Sequence, residues 1–243
     1  MSIGRSALLL AIAVISLAAI FLLTPISQDL SYHQFSGQSA KAGIANFWNV
    51  ISNIPFLFVG LIGLFYCVRS SDLQARLSWG VFFLGVTFVA FGSSWYHLHP
   101  DNMTLVWDRL PMAVGFMGLF VALLNEYVDT RAQRFLLVPC VALGAGSVLW
   151  WSLYDDLRLY VWVQFFPLLT IVILLFFFRS PYSQKKYIAG ALGLYVLAKL
   201  LEFGDHQIYD FTGHIVAGHP IKHLVAAGGV LLLYRMIKQR ALI

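Results

Sequence analysis

The chain has 243 residues and a net charge of +5; 60% of its residues are hydrophobic, only 11% are charged, and its mean hydropathy is +0.78. A soluble domain carries about 25% charged residues, so this composition excludes a soluble globular protein and points to a polytopic membrane protein. The positive charge does not imply nucleic-acid binding, because Lys and Arg are dispersed over short connections with no basic stripe or motif.

Spanning a bilayer takes about 20 apolar residues in a helix. Taken in chain order, eight segments qualify: roughly residues 6–26, 46–67, 78–98, 106–125, 134–152, 158–178, 185–202 and 219–237. Their apolar runs are continuous rather than alternating, which excludes barrel strands. The expected fold is all-α, a membrane helix bundle forming a single transmembrane domain over 1–243. The first segment has a signal-like start at Arg5, but its run is long and lacks a small-residue cleavage site, so it reads as a retained helix. Pro167 predicts a kink in the sixth. Cys67 and Cys140 fall within or at the ends of apolar segments and read as small packing residues.

Lys and Arg set the expected orientation. With the N-terminus inside, the inner helix ends carry 11 of the 16 basic residues, which predicts that both termini are cytoplasmic. All seven histidines and eight of the eleven acidic residues then fall on the outer side.

Ionisable groups at membrane depth are rare and mark functional sites. Ser93 and His97, four apart, share one face of the third segment. Asp108 opens the fourth, where Pro111 suggests a helix start. There it is either a charge favoured by the helix dipole or a partner for Arg109. His219 and His223 repeat the four-residue spacing on the last segment. An H-x3-H pair alone is weak evidence for a metal. Three histidines and a carboxylate at one depth are what a catalytic zinc needs, with the fourth position left to water. His99 and His214 read as turn or loop residues. Lys199 and Glu202 read as an ion pair across one turn or as groups lining a polar cavity. Tyr209, Asp210 and Thr212 are expected in an outer loop.

The pattern S-x3-H at Ser93/His97, an Asp eleven residues on at Asp108, and H-x3-H at His219/His223 resembles the alkaline ceramidase family, within the broader group that includes the adiponectin-receptor-like proteins. The segment NFWNVISNIPFLFVG at 46–60 is similar to the start of that family's core, and the resemblance spans about 44–237. It implies a seven-helix hydrolase core, with the 6–26 helix as an N-terminal addition. It further implies zinc held by His97, His219 and His223, proton transfer by Asp108, and support of the substrate's carbonyl oxygen by Ser93. The implied activity is hydrolysis of a ceramide-like N-acyl sphingolipid, with the site toward the outer side. Animal members carry an acidic calcium site just before the core. Here Asn46 stands where they have Glu and Asp29 is the one nearby carboxylate, so no comparable calcium site is expected.

Two other functions share these residues. A zinc-containing receptor or sensor would close its site with a fourth protein ligand. A proton-coupled transporter would use the same groups as a relay, although no inverted repeat is visible. The sequence does not set the oligomeric state.

Overall fold

The computed structural model describes residues 3–243, with side chains from Ala7 onward; the Arg5 side chain, counted in the charge asymmetry, lies outside them. Among the described residues the structure is helical, with isolated bridges but no strand. The helices are α1 (Ile3–Phe21), α2 (Phe47–Ile51), α3 (Ile54–Arg69), α4 (Arg76–Leu98), α5 (Asn102–Tyr127), α6 (Ala132–Tyr154), α7 (Arg158–Phe177), α8 (Lys186–Phe203), α9 (Asp205–Phe211) and α10 (Gly218–Gln239). A short 3-10 turn lies at Leu30–His33. The chain is an integral, multi-pass membrane bundle. Six of its helical stretches are long and apolar enough to cross a bilayer, or seven with α8 and α9 taken as one broken span. The described apolar stretch of α1, Ala7–Phe21, is shorter than these.

Three boundaries differ from the sequence reading. The segment beginning at 46 is interrupted at Ser52–Asn53, where α2 gives way to α3 and its early proline. The stretch after 203 is not loop but helix α9, bent 71° from α8. Helix α5 begins at Asn102, well before Pro111. Asp101 Oδ1 accepts the Thr104 N–H at 2.6 Å and the Thr104 hydroxyl accepts the Asp101 N–H at 3.2 Å, a reciprocal capping box. The first of these bonds holds the Asp101 carboxyl below the usual carboxylate range. Asp108 therefore sits in the second turn, and Pro111 lies inside the helix.

Helix α5 packs against α4, α6 and α7, and α10 packs against α8 and α3. Small residues let backbones approach where lipid offers no hydrophobic drive between helices. A Cβ on Gly85 would come within 2.8 Å of the Pro111 carbonyl oxygen, and one on Gly92 would overlap the Trp107 carbonyl. Gly92 precedes Ser93 and Trp107 precedes Asp108, so this contact sets the distance between those two side chains. A Cβ on Gly218 would likewise overlap the Leu201 carbonyl, which fixes the start of α10, and hence His219, against the end of α8.

The opposite end of the bundle is closed by a buried ion pair. Glu126 Oε2 lies 2.7 Å from Arg240 Nη1, and Glu126 Oε1 accepts the Trp79 indole N–H at 2.7 Å.

Gly92→Ala should force α4 and α5 apart. Overpacking of this kind costs about 1–3 kcal/mol. The expected outcome is a lower unfolding midpoint in detergent together with reduced turnover, measured by a thermal melt and an activity assay on the same sample.

Candidate metal centre

Three chain-distant elements meet at one end of the bundle. His97 is in the last turn of α4; His219 and His223 are in the first turns of α10. All three are buried, and their ring centroids form a near-equilateral triangle with sides of 4.8, 5.0 and 5.1 Å. One nitrogen from each ring lies within 4.8 Å of the others, and this is the group of His, Cys, Asp or Glu that can hold a metal among the described residues.

Each histidine is placed by a polar contact made for it. The His97 carbonyl accepts the Asn46 amide N–H at 2.8 Å, and Asn46 itself is left-handed, with φ of 48°. The His219 backbone N–H donates to Asp205 Oδ1 at 2.7 Å, while Asp205 Oδ2 accepts the Ser36 N–H at 2.6 Å. Helix α10 begins after Ala217, which has no side chain to cap it. Asp205 supplies that cap from another helix and meets an otherwise orphaned donor. His223 Nδ1 lies 2.8 Å from Ser52 Oγ, and the Ser52 hydroxyl donates to the Asn49 carbonyl at 3.1 Å. With its proton committed there, Ser52 accepts from Nδ1–H. The tautomer is thereby set, and the Nε2 lone pair of His223 is left for an ion.

The donor set suits zinc. Nitrogens around a tetrahedral zinc, each about 2.0–2.1 Å from the ion, stand roughly 3.3 Å apart. Small side-chain movements would bring the three to that spacing. His97 Nδ1 is buried with no hydrogen-bond partner. Aromatic rings shield the cluster: Phe35 packs on His97 and His219 at centroid distances of 4.8 and 5.3 Å, and Phe56 lies 6.3 Å from His223.

Asp108 is not among the metal-capable residues. It sits on the turn of α5 that lies against Gly92 of α4, where a Cβ on that glycine would come within 3.3 Å of the Asp108 backbone nitrogen, one residue before Ser93 on the helix that carries His97. Arg109 is buried against the faces of Trp151 and Tyr160, at 4.2 and 4.9 Å, and donates to Gln28 Oε1 at 2.7 Å. Of the other candidates, His99 caps the end of α4 and packs on Trp95, and His214 is exposed beside Asp210. Lys199 pairs with Glu202 as expected, but Lys222 and Tyr32 share the same carboxylate.

The sequence reading missed Asn46 as the His97 tether, Ser52, Asp205, Lys222 and Phe35. Ser52 left a signal, since Asn49, Ser52 and Asn53 interrupt an apolar run. Asp205 left none, because its partners are backbone N–H groups distant in sequence.

Comparison with known families gives a match to the family model described as Ceramidase over residues 39–203. That stretch is about two thirds of the chain; it includes Ser93, His97 and Asp108 and ends before His219. No curated protein matches the chain.

Changing His97, His219 or His223 to Ala should abolish stoichiometric metal in the purified protein. Ser52→Ala should keep the fold but weaken metal affinity about 10–100-fold, the usual effect of losing a ligand's hydrogen-bond partner. Metal analysis after titration with a competing chelator measures both. Full retention in the triple-alanine protein would refute the ligand set.

Proposed function

The chain belongs to the ceramidase family, and from that premise we propose that it is a zinc-dependent intramembrane amidase. Its substrates in this reading are ceramide-like N-acyl sphingolipids, cleaved to fatty acid and sphingoid base. The observation that carries the reading is the buried three-histidine cluster, His97, His219 and His223. Three protein ligands leave a zinc its open, catalytic position, whereas a structural site needs four, so the geometry favours an enzyme over a sensor.

Zinc held by His97, His219 and His223 would supply a water acidified to a pKa of about 7 and a Lewis acid for the amide carbonyl. Asp108 is the general base: its carboxylate takes the proton of the attacking water and returns it to the departing amine. Ser93, one turn before His97 on α4, turns its hydroxyl to the substrate's carbonyl oxygen. Phe35 covers the cluster and keeps bulk water from it.

The lipid tail has a place in the bundle. Next to His223, Phe56 begins an apolar cavity walled by residues of α3, α4, α5, α7, α8 and α10, among them Val86, Phe116, Ile171, Ala191 and Val230. Helices α7 and α8 both line this cavity. The seam between them is bridged by the Gln164 amide donating to the Tyr195 hydroxyl at 3.2 Å. A chain entering from the bilayer through this seam would reach the cavity without crossing water.

In this reading both termini are cytoplasmic and the site opens outward, α1 precedes a seven-helix core over 44–237, and calcium plays no part. Asn46, where animal members have Glu, is committed to the His97 carbonyl.

Three outcomes test the reading. Asp108→Asn should lower fatty-acid release from ceramides by about 10²–10⁴-fold with zinc content unchanged, and the wild-type rate should be indifferent to a calcium-selective chelator. An Asp108→Asn protein with full turnover would remove Asp108 from the mechanism. Reporter fusions should place the 98–105 connection outside and both termini inside; a cytoplasmic signal from that connection would reverse the orientation.

A further inference from the structure

Lys222 lies one turn after His219 on α10, and by sequence it is only one more outward charge. In the structure its Nζ is 2.9 Å from His219 Nε2 and 3.0 Å from Glu202 Oε1. Its side chain is 16% exposed. The contact with His219 places the ammonium against the histidine cluster rather than out at the interface.

Glu202 holds it there. One oxygen of that carboxylate accepts from Lys222 and from the Tyr32 hydroxyl at 3.2 Å, and the other accepts from Lys199. Elements from the N-terminal turn, α8 and α10 thus converge on one anion. Lys199 alone would neutralise Glu202, so the second lysine adds a net positive charge beside the histidines. A lysine near a helix end in a membrane ordinarily extends to the interface. Turning this one inward costs desolvation, and Glu202 offsets only part of that cost. An ammonium has three N–H donors: one points to Glu202, and a metal-bound His219 has no lone pair left to accept another, so an N–H remains free beside the cluster.

We propose that Lys222 is a catalytic residue whose remaining N–H donates to the carbonyl oxygen of the scissile amide as negative charge builds there, with Glu202 as its positioning residue. The proposal rests on the amidase reading. As water adds to the carbonyl carbon, a C–O bond forms, the carbonyl pair moves onto oxygen, and the water's proton passes to Asp108. Lys222 keeps its proton throughout and hydrogen-bonds the charged oxygen. When the C=O bond re-forms, the C–N bond breaks and Asp108 returns the proton to nitrogen. Because the interaction strengthens only as charge develops, it accelerates the reaction rather than tightening substrate binding.

The test uses full-length, zinc-loaded protein and the variants K222M, K222R, E202Q and K222M/E202Q. Four quantities are measured: zinc stoichiometry; kcat and KM for fatty-acid release; affinity for a ceramide phosphonate that mimics the tetrahedral oxyanion; and affinity for a plain sphingoid base. K222M should keep its zinc and its KM and lose about 10²–10³ in kcat, as removal of one oxyanion donor does. Phosphonate affinity should fall by a comparable factor while sphingoid-base affinity holds. K222R should recover part of the rate. E202Q should slow the wild-type protein but add nothing in the K222M background, because Glu202 acts through Lys222.

Unimpaired kcat in zinc-loaded K222M would overturn the role of Lys222. Loss of zinc together with turnover would also overturn it, by making Lys222 a support for His219. Zinc-loaded wild-type protein that cleaves no N-acyl lipid would overturn the amidase reading itself, a failure seen without any variant.

Discussion

The structure depends on one constraint: three imidazoles are buried together, and the polar groups that hold them in place need partners inside the protein. In hydrocarbon no water is available to satisfy a stray N–H or C=O, and each one left unmet costs several kcal/mol. The surrounding polar side chains answer that demand. The Ser52 hydroxyl accepts a hydrogen bond from His223 Nδ1–H and donates one to the Asn49 carbonyl. Asp205 gathers the N–H groups of His219 and Ser36. Asn46 covers the His97 carbonyl. None of these needs to touch a substrate, yet together they decide which histidine nitrogens remain free to bind.

A second constraint is proximity. Polar side chains on separate helices can cooperate only if the backbones come close, and in a membrane close approach requires small residues. Gly92 lets α4 reach Trp107 at the turn that carries Asp108, and Gly218 lets α10 begin against the Leu201 carbonyl. The glycines thus bring Ser93 to Asp108 and fix His219 near His97. At the far end Glu126, Arg240 and Trp79 fasten α4, α5 and the tail after α10. The helices that carry the site are pinned at both ends, with an apolar cavity between.

Electrostatically the centre is mixed. Arg109 is packed among aromatic rings, where its charge meets π faces rather than a carboxylate. Lys199 and Lys222 share Glu202.

Sequence alone determined the class of the protein and picked out the three histidines that the structure clusters. Apolar runs of spanning length are an unambiguous signal, because only helices satisfy their own backbone in lipid. Ionisable residues within those runs stand out because burying them is costly. His97, His219 and His223, which the structure brings together, were legible for that reason, and S-x3-H with H-x3-H pointed to the family. The sequence misplaced the start of α5, since Pro111 is a weaker start signal than the Asp101–Thr104 capping box that the structure uses. It read residues 205–211 as loop, because a short polar helix after a bend has too few turns to show a period. Only the tertiary structure decided that Ser52 faces His223, that Asp205 caps α10 across a helix boundary, and that Lys222 turns inward to Glu202. Those contacts join residues far apart in the chain, and their direction is set by how helices rotate against one another, which no local pattern encodes.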